Sequence, residues 1–301
     1  MKGTKPTSGT IKLQDGKVVD IIDIYLDEKY ANYDENGDYI FYLRAFPTEA
    51  GLYDGDRNLI ASWDDLISYG FNDSTFNTLL YNHQELKKGE ILIISNSVTN
   101  IKEFMFNSCE NLTNVIIPNS VTSIGEYAFR DCTGLKSITI PASVTSIGSY
   151  AFNKCTNLSS IKFKQNSQLT SIGTYAFYYC SSLTSIIIPD SVTSIEYRAF
   201  SMCNKLTDVI IGNGITTIDS YVFANCSSLT NVTIGNSVTS IETGAFIGCN
   251  SLSRLIFKNT EGWFVADDTN ATTGDSIDVT NASTNATNLK TTYANKFWKR
   301  S

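Results

Sequence analysis

The chain has 301 residues, 42% hydrophobic and 18% charged, proportions of a folded protein with a sizeable core rather than a disordered chain. Its net charge of −7 is confined to the start: residues 1–94 hold 16 of the 30 acidic and 9 of the 23 basic side chains, leaving residues 95–301 with 14 of each. A neutral body without a basic stripe excludes nucleic acid as a partner and disfavours anionic membranes, and no run of 18 apolar residues offers membrane insertion.

The opening MKGTKPTSGT is polar, and its lack of an apolar h-region predicts no signal peptide in this stretch. Thr10–Leu26 mixes β-branched and acidic residues and predicts strands broken at Asp15-Gly16. Asn36-Gly37 between aromatic runs signals a hairpin, and Ser62-Trp63-Asp64-Asp65 has the form of a capping box opening a short helix to Tyr69. Residues 1–94 therefore read as a small acidic α+β domain that also caps the remainder of the chain.

From residue 95 the chain repeats itself. Val98, Val121, Val144, Leu169, Val192, Ile215 and Val238 fall in one column, and Ile101, Ile124, Ile147, Ile172, Ile195, Ile218 and Ile241 in another. Phe106, Phe129, Phe152, Phe177, Phe200, Phe223 and Phe246 form a third, and Leu112 to Leu252 a fourth. Every step is 23 residues except one of 25, where KQNSQ at Lys164–Gln168 replaces the usual Pro-x-Ser link. Self-similarity at this period is the signature of a leucine-rich-repeat solenoid, here seven full repeats over residues 95–257. Each repeat supplies an apolar strand such as Leu112–Ile117 ended by Pro118, then a second short extended segment at Val121–Ile124. Tyr127-Ala128-Phe129 is predicted to form a helical turn. Just ahead of the array, Gly89–Ile94 (GEILII) matches the strand half of a repeat and reads as a degenerate first rung.

All seven cysteines occupy one further column, Cys109, Cys132, Cys155, Cys180, Cys203, Cys226 and Cys249. Stacked rungs place them about 4.8 Å apart and pointing the same way, poorly aimed for bridging. They read as small core residues, not as metal or redox ligands. After Phe257 the period fails. A Thr/Asn/Asp-rich stretch, Asp267–Asn288, leads to LKTTYANKFWKR, and residues 258–301 read as a C-terminal cap in which Trp263, Phe264, Tyr293, Phe297 and Trp298 cover the last repeat.

The run L-x-x-I-x-I-P-x-S-V-T-S-I-G-x-x-A-F-x-x-C at Leu135–Cys155 resembles the BspA-like (Treponema pallidum-type) leucine-rich repeat family of bacterial and some protist proteins. The flanking GLYDGDRNLIASWDDL and KNTEGW…FWK segments are also similar to those bracketing such repeats. The resemblance implies an α/β repeat fold: a right-handed leucine-rich-repeat solenoid with a parallel β-sheet, the small α+β N-terminal domain and the cap. It further implies a non-enzymatic, extracellular or cell-surface protein, in some members an adhesin, with no cofactor and no shared binding residues.

The concave sheet is the expected binding surface for a protein or glycan. Its outward positions are Asn114 and Ile116, Ser137 and Thr139, Ser160 and Lys162, Ser185 and Ile187, Asp208 and Ile210, Asn231 and Thr233, and Arg254 and Ile256. The isoleucines among them suit either a protein-binding patch or plain strand propensity. An aromatic column, Phe104, Tyr127, Tyr150, Tyr175 and Tyr221, is interrupted at Arg198 and Gly244; it suits stacking along the repeat edge, or glycan docking. Asp34–Asp38 imitates the start of a calcium loop but lacks its later glycine and glutamate, and a hairpin explains it better. Asp267, Asp268, Asp275 and Asp278 fit a solvated loop. His83 is the sole histidine, so a histidine triad or His-rich metal site is impossible. The chain is expected to be a monomeric adhesion protein; a structural spacer or assembly subunit is the alternative.

Overall fold

The computed structural model describes residues 91–301 apart from 292, and before them the strands Thr10–Lys12, Val18–Asp20, Ala31–Tyr33, Tyr39–Phe41, Gly51–Tyr53 and Leu59–Ser62. The chain divides into two units, Met1–Glu49 and Ala50–Ser301. In the first, Thr10–Lys12 pairs antiparallel with Val18–Asp20, on either side of Asp15-Gly16. Ala31–Tyr33 pairs antiparallel with Tyr39–Phe41, with Tyr33 opposite Tyr39. The turn expected at Asn36-Gly37, the helix expected after Ser62, and His83 lie outside the described residues.

In the second unit each 23-residue repeat makes one rung with two strands, so the solenoid has two ladders. The broad sheet holds Asn114–Ile116, Ser137–Ile140, Ser160–Phe163, Ser185–Ile187, Asp208–Ile210, Asn231–Ile234 and Arg254–Phe257. The narrow sheet holds the two-residue strands from Asn100–Ile101 to Ser240–Ile241. Pairing between rungs is parallel and in register, as Ile138 opposite Ile161 and Ile124 opposite Ile147 illustrate. Ile91–Ile93 pairs in parallel with Asn114–Ile116, so the degenerate half-repeat is a rung, and Gly51–Tyr53 and Leu59–Ser62 extend it antiparallel.

Period-2 alternation in the broad strands sends Val115, Ile138, Ile186, Val209, Val232 and Leu255 inward, all buried. The Phe column fills the middle of each rung and forms an unbroken stack from Phe106 to Phe246, with centroids 5.1–5.6 Å apart. The cysteines are buried and form no disulfide, in keeping with their column. From Cys132 onward each thiol donates to the carbonyl of the phenylalanine one repeat back, as Cys155 Sγ does to Phe129 O at 3.1 Å. The column is thus a weak hydrogen-bond donor as well as filler.

The predicted helical turn at Tyr127-Ala128-Phe129 is not formed. A helix would keep its amides within one rung, whereas here they alternate. Tyr127, Phe129 and Asp131 donate to Ser149, Ala151 and Asn153 of the next rung, and Ala128, Arg130 and Cys132 donate back three residues within their own. This path needs a left-handed residue every fourth position, and Tyr127 (φ 55°) and Asp131 (φ 56°) supply it.

The cap covers the last rung in two ways. Phe297–Arg300 adds antiparallel to Ser240–Ile241 and continues the narrow sheet through Trp263–Ala266. A helix, Ala282–Lys290, packs on the final broad strand Arg254–Phe257, N-capped by Asn281 Oδ1, which accepts from the amides of Ser283 and Thr284. Phe257 packs edge-on to Trp263 and stacks on Trp298.

Candidate functional site

The outward broad-sheet residues fall into two groups, because the sheet is interrupted between Ser160–Phe163 and Ser185–Ile187, where the 25-residue step lies. Before the break, Asn114, Ile116, Ser137, Thr139 and Ser160 are half-buried and only Lys162 is exposed. Beyond it, Ser185, Ile187, Asp208, Ile210, Asn231 and Arg254 are exposed, while Thr233 and Ile256 are half-buried. Ile187 sits directly opposite Ile210 on the neighbouring strand, and the two are 63% and 41% accessible. Thr233 and Ile256 continue the same row. Beside it, Asn231 Nδ2 donates to Asp208 Oδ1 at 2.8 Å. The result is a short apolar stripe bordered by amides and carboxylates, a surface for desolvating an apolar side chain and hydrogen-bonding its backbone. It contains no nucleophile–base pair.

The aromatic column forms a second feature. Phe104, Tyr127, Tyr150 and Tyr175 stack with centroids 4.6–4.9 Å apart and planes within 12°. Arg198 does not end the run, because the preceding Tyr197 takes over, edge-on to Tyr175 and Tyr221 at 5.7 Å each. Arg198 lies over the rings of both Tyr197 and Tyr221. Burial pushes the Tyr150 and Tyr175 phenols above their ordinary range. The ring faces that a sugar would need are occupied by neighbouring rings.

The C-terminal aspartates are exposed, and their carboxylates serve local contacts: Asp268 accepts from the Asn270 amide, Asp278 from that of Thr280, and Asp267 pairs with Lys296. The Thr280 hydrogen bonds hold the Asp278 carboxyl below its usual value. Among the described residues, no three His, Cys, Asp or Glu side chains are placed to hold a metal ion, and no helix is long and apolar enough to cross a membrane. Sequence reasoning missed the polar network of the cap, where Lys299 Nζ meets Glu242 Oε1 at 3.0 Å and Ser240 Oγ at 2.7 Å, largely shielded from solvent.

Two ladders of parallel strands on a 23-residue rung, filled by Leu, Ile, Phe and Cys columns, define a leucine-rich-repeat solenoid. The BspA type Leucine rich repeat region matches residues 77–170 and 164–262 in six copies, and the chain belongs to that family. It is 28% identical to the leucine rich repeat protein of T. pallidum over 54% of this chain and 77% of that one, with a TM-score of 0.50. It is also similar to a leucine-rich repeat protein of Bacteroides ovatus, at 26% identity over 56% of this chain and 57% of that one, with a TM-score of 0.40. None of the curated proteins matches the chain. The family is typically non-enzymatic, and membership suggests a protein-binding surface protein.

Proposed function

We propose that this is a non-enzymatic recognition protein of the bacterial surface or exterior that binds a protein partner through the outward broad-sheet face beyond the break. The carrying observation is the exposed Ile187–Ile210 pair, placed side by side on adjacent strands. Threonine would serve the fold equally well there, as Thr233 does one rung on. A protein ligand is favoured over a glycan because the aromatic ladder spends its ring faces on itself. The repeat family supports a surface location. The protein acts as a monomer, its terminal rung covered by the cap.

Binding to an array of matrix proteins and glycans tests this reading. A protein ligand should be retained by the native chain and lost by Ile187→Asp and Ile210→Asp, each costing about 2 kcal/mol or more of binding if the pair is a hot spot, with melting unchanged. Unaltered binding by both variants, or a silent array, would sink it. Light scattering that shows growth with concentration would instead favour an assembly subunit.

A further inference from the structure

We infer that Asn213 is a site of self-modification, in which its side-chain amide is converted to a carboxylate by attack of the Gly214 amide nitrogen, loosening the joint between the fifth and sixth repeats. Gly212-Asn213-Gly214 replaces the Pro-x-Ser corner of Pro189–Ser191, and the Asn213 side chain is hydrogen-bonded at both its oxygen and its nitrogen. The Asn236 amide donates to Asn213 Oδ1 at 3.1 Å, polarising the carbonyl and facing the charge that addition would build there. Asp190 Oδ1 accepts from the Asn213 backbone amide at 2.7 Å and from Asn213 Nδ2 at 3.2 Å, so a carboxylate able to relay a proton adjoins the leaving nitrogen. The Gly214 amide makes no hydrogen bond, and only glycine fits at this position, because a Cβ would run into the carbonyl oxygens of Asp190 and Val192.

The joint already lacks hydrogen bonds that other rungs of the narrow sheet make. At three other corners a serine, Ser120, Ser143 or Ser191, ties one rung to the last, as Ser191 Oγ does to Leu169 O at 2.8 Å, and Gly214 cannot make that tie. The amide bonds that Val192 makes to Pro189 O and Thr193 to Thr170 O have no counterparts at Ile215 and Thr216. The sheet breaks there, between Ser194–Ile195 and Thr217–Ile218.

In the reaction the Gly214 nitrogen forms a bond to Asn213 Cγ, and its proton passes by way of Asp190 or solvent to Nδ2. The Cγ–Nδ2 bond breaks and ammonia leaves, closing a succinimide. Water then opens the ring at either carbonyl to aspartate or isoaspartate, so one amide and one water become one carboxylate and ammonium. The new carboxylate faces Asp190 Oδ1 where a hydrogen bond stood, and isoaspartate also lengthens the backbone of a rung whose spacing is set by its neighbours.

The test is peptide mapping of the intact protein held in mildly alkaline buffer, with isoaspartate scored by methyltransferase labelling. Asn213 should convert ahead of Asn236, which is followed by a serine, and Asp190→Asn should slow it several-fold. Asn213→Asp should lower Tm by about 2–4 °C, and adding Asp190→Asn should restore it. Conversion of Asn213 no faster than Asn236, or indifferent to Asp190, would overturn the site. An Asn213→Asp variant that melts with the native protein would overturn the loosening.

Discussion

At the scale of single residues, the fold relies on left-handed backbone at positions where L side chains resist it. Two columns carry it, one through Tyr127 and Tyr150, the other through Asp131, Lys154 and Asn225. Only the seventh repeat uses glycine at both, Gly244 and Gly248. The first column has a compensation, because its side chains form the aromatic stack. Lys154 (φ 58°) is exposed, and its amide already bonds Tyr178 O, so its side chain offsets nothing. Lys154→Gly should therefore stabilise the protein by about 0.5–1 kcal/mol, the relief of left-handed strain less glycine's greater unfolded entropy. Lys154→Ala keeps its Cβ and should gain nothing. Denaturant unfolding of the pair checks this, and equal midpoints would mean that the rung tolerates the conformation without cost. The available signals were Gly244 and Gly248, with Asp131 and Asn225, but Tyr and Lys in the other copies masked them, which is why the sequence alone suggests a helical turn.

Among elements, those with a periodic apolar signal were legible and those held by single polar contacts were not. The broad strands are visible in Leu112-x-x-Val115-x-Ile117 because period 2 and burial coincide. The cap's aromatic residues are visible because Trp263 and Trp298 lie beyond the last period with no repeat of their own to fill. Its helix is hidden in ASTNATNLK, whose residues are mostly weak helix formers; the one available signal was Asn281 as N-cap. What holds that helix is burial of Ala286 and Leu289, and Asn285 Nδ2 donating to Val279 O at 2.7 Å. The apolar stripe was legible as a row of outward positions, but the break that sets Ile187 and Ile210 apart depends on how the 25-residue step packs. Trp298 is 1% exposed and lies over Phe257. Trp298→Ala should cost about 3–5 kcal/mol, and the loss should be local, because each rung of a solenoid leans only on its neighbours. Hydrogen exchange should quicken first in Ser240–Ile241 and Arg254–Phe257 and leave Ser123–Ile124 protected. Uniform acceleration along the chain would show that the cap stabilises all rungs as one unit.

For the whole molecule, the cysteine column couples stability to pH. Burial raises the thiols of Cys109, Cys155, Cys180, Cys203 and Cys226 above their ordinary value; for Cys249 the hydrogen bond with Cys226 comes first and burial second. In the native state these thiols stay protonated where unfolded thiols ionise, above about pH 8.5. The folded chain then binds more protons than the unfolded one, so stability is complete below that pH and falls as pH rises. Each such thiol contributes a slope of about 1.4 kcal/mol per pH unit until its folded value is reached. The Tyr150 and Tyr175 phenols, raised in the same direction, join above about pH 10. A protein whose seven cysteines form no disulfide should therefore lose its fold in mild alkali under reducing conditions. Urea unfolding across about pH 7 to 10 measures the slope, and Cys180→Ser should reduce it by one thiol's share, whatever the substitution costs at neutral pH. A flat profile through that range would mean that the thiols reach solvent in the folded chain, and that the column is not the sealed core that its hydrogen bonds to the phenylalanine carbonyls describe.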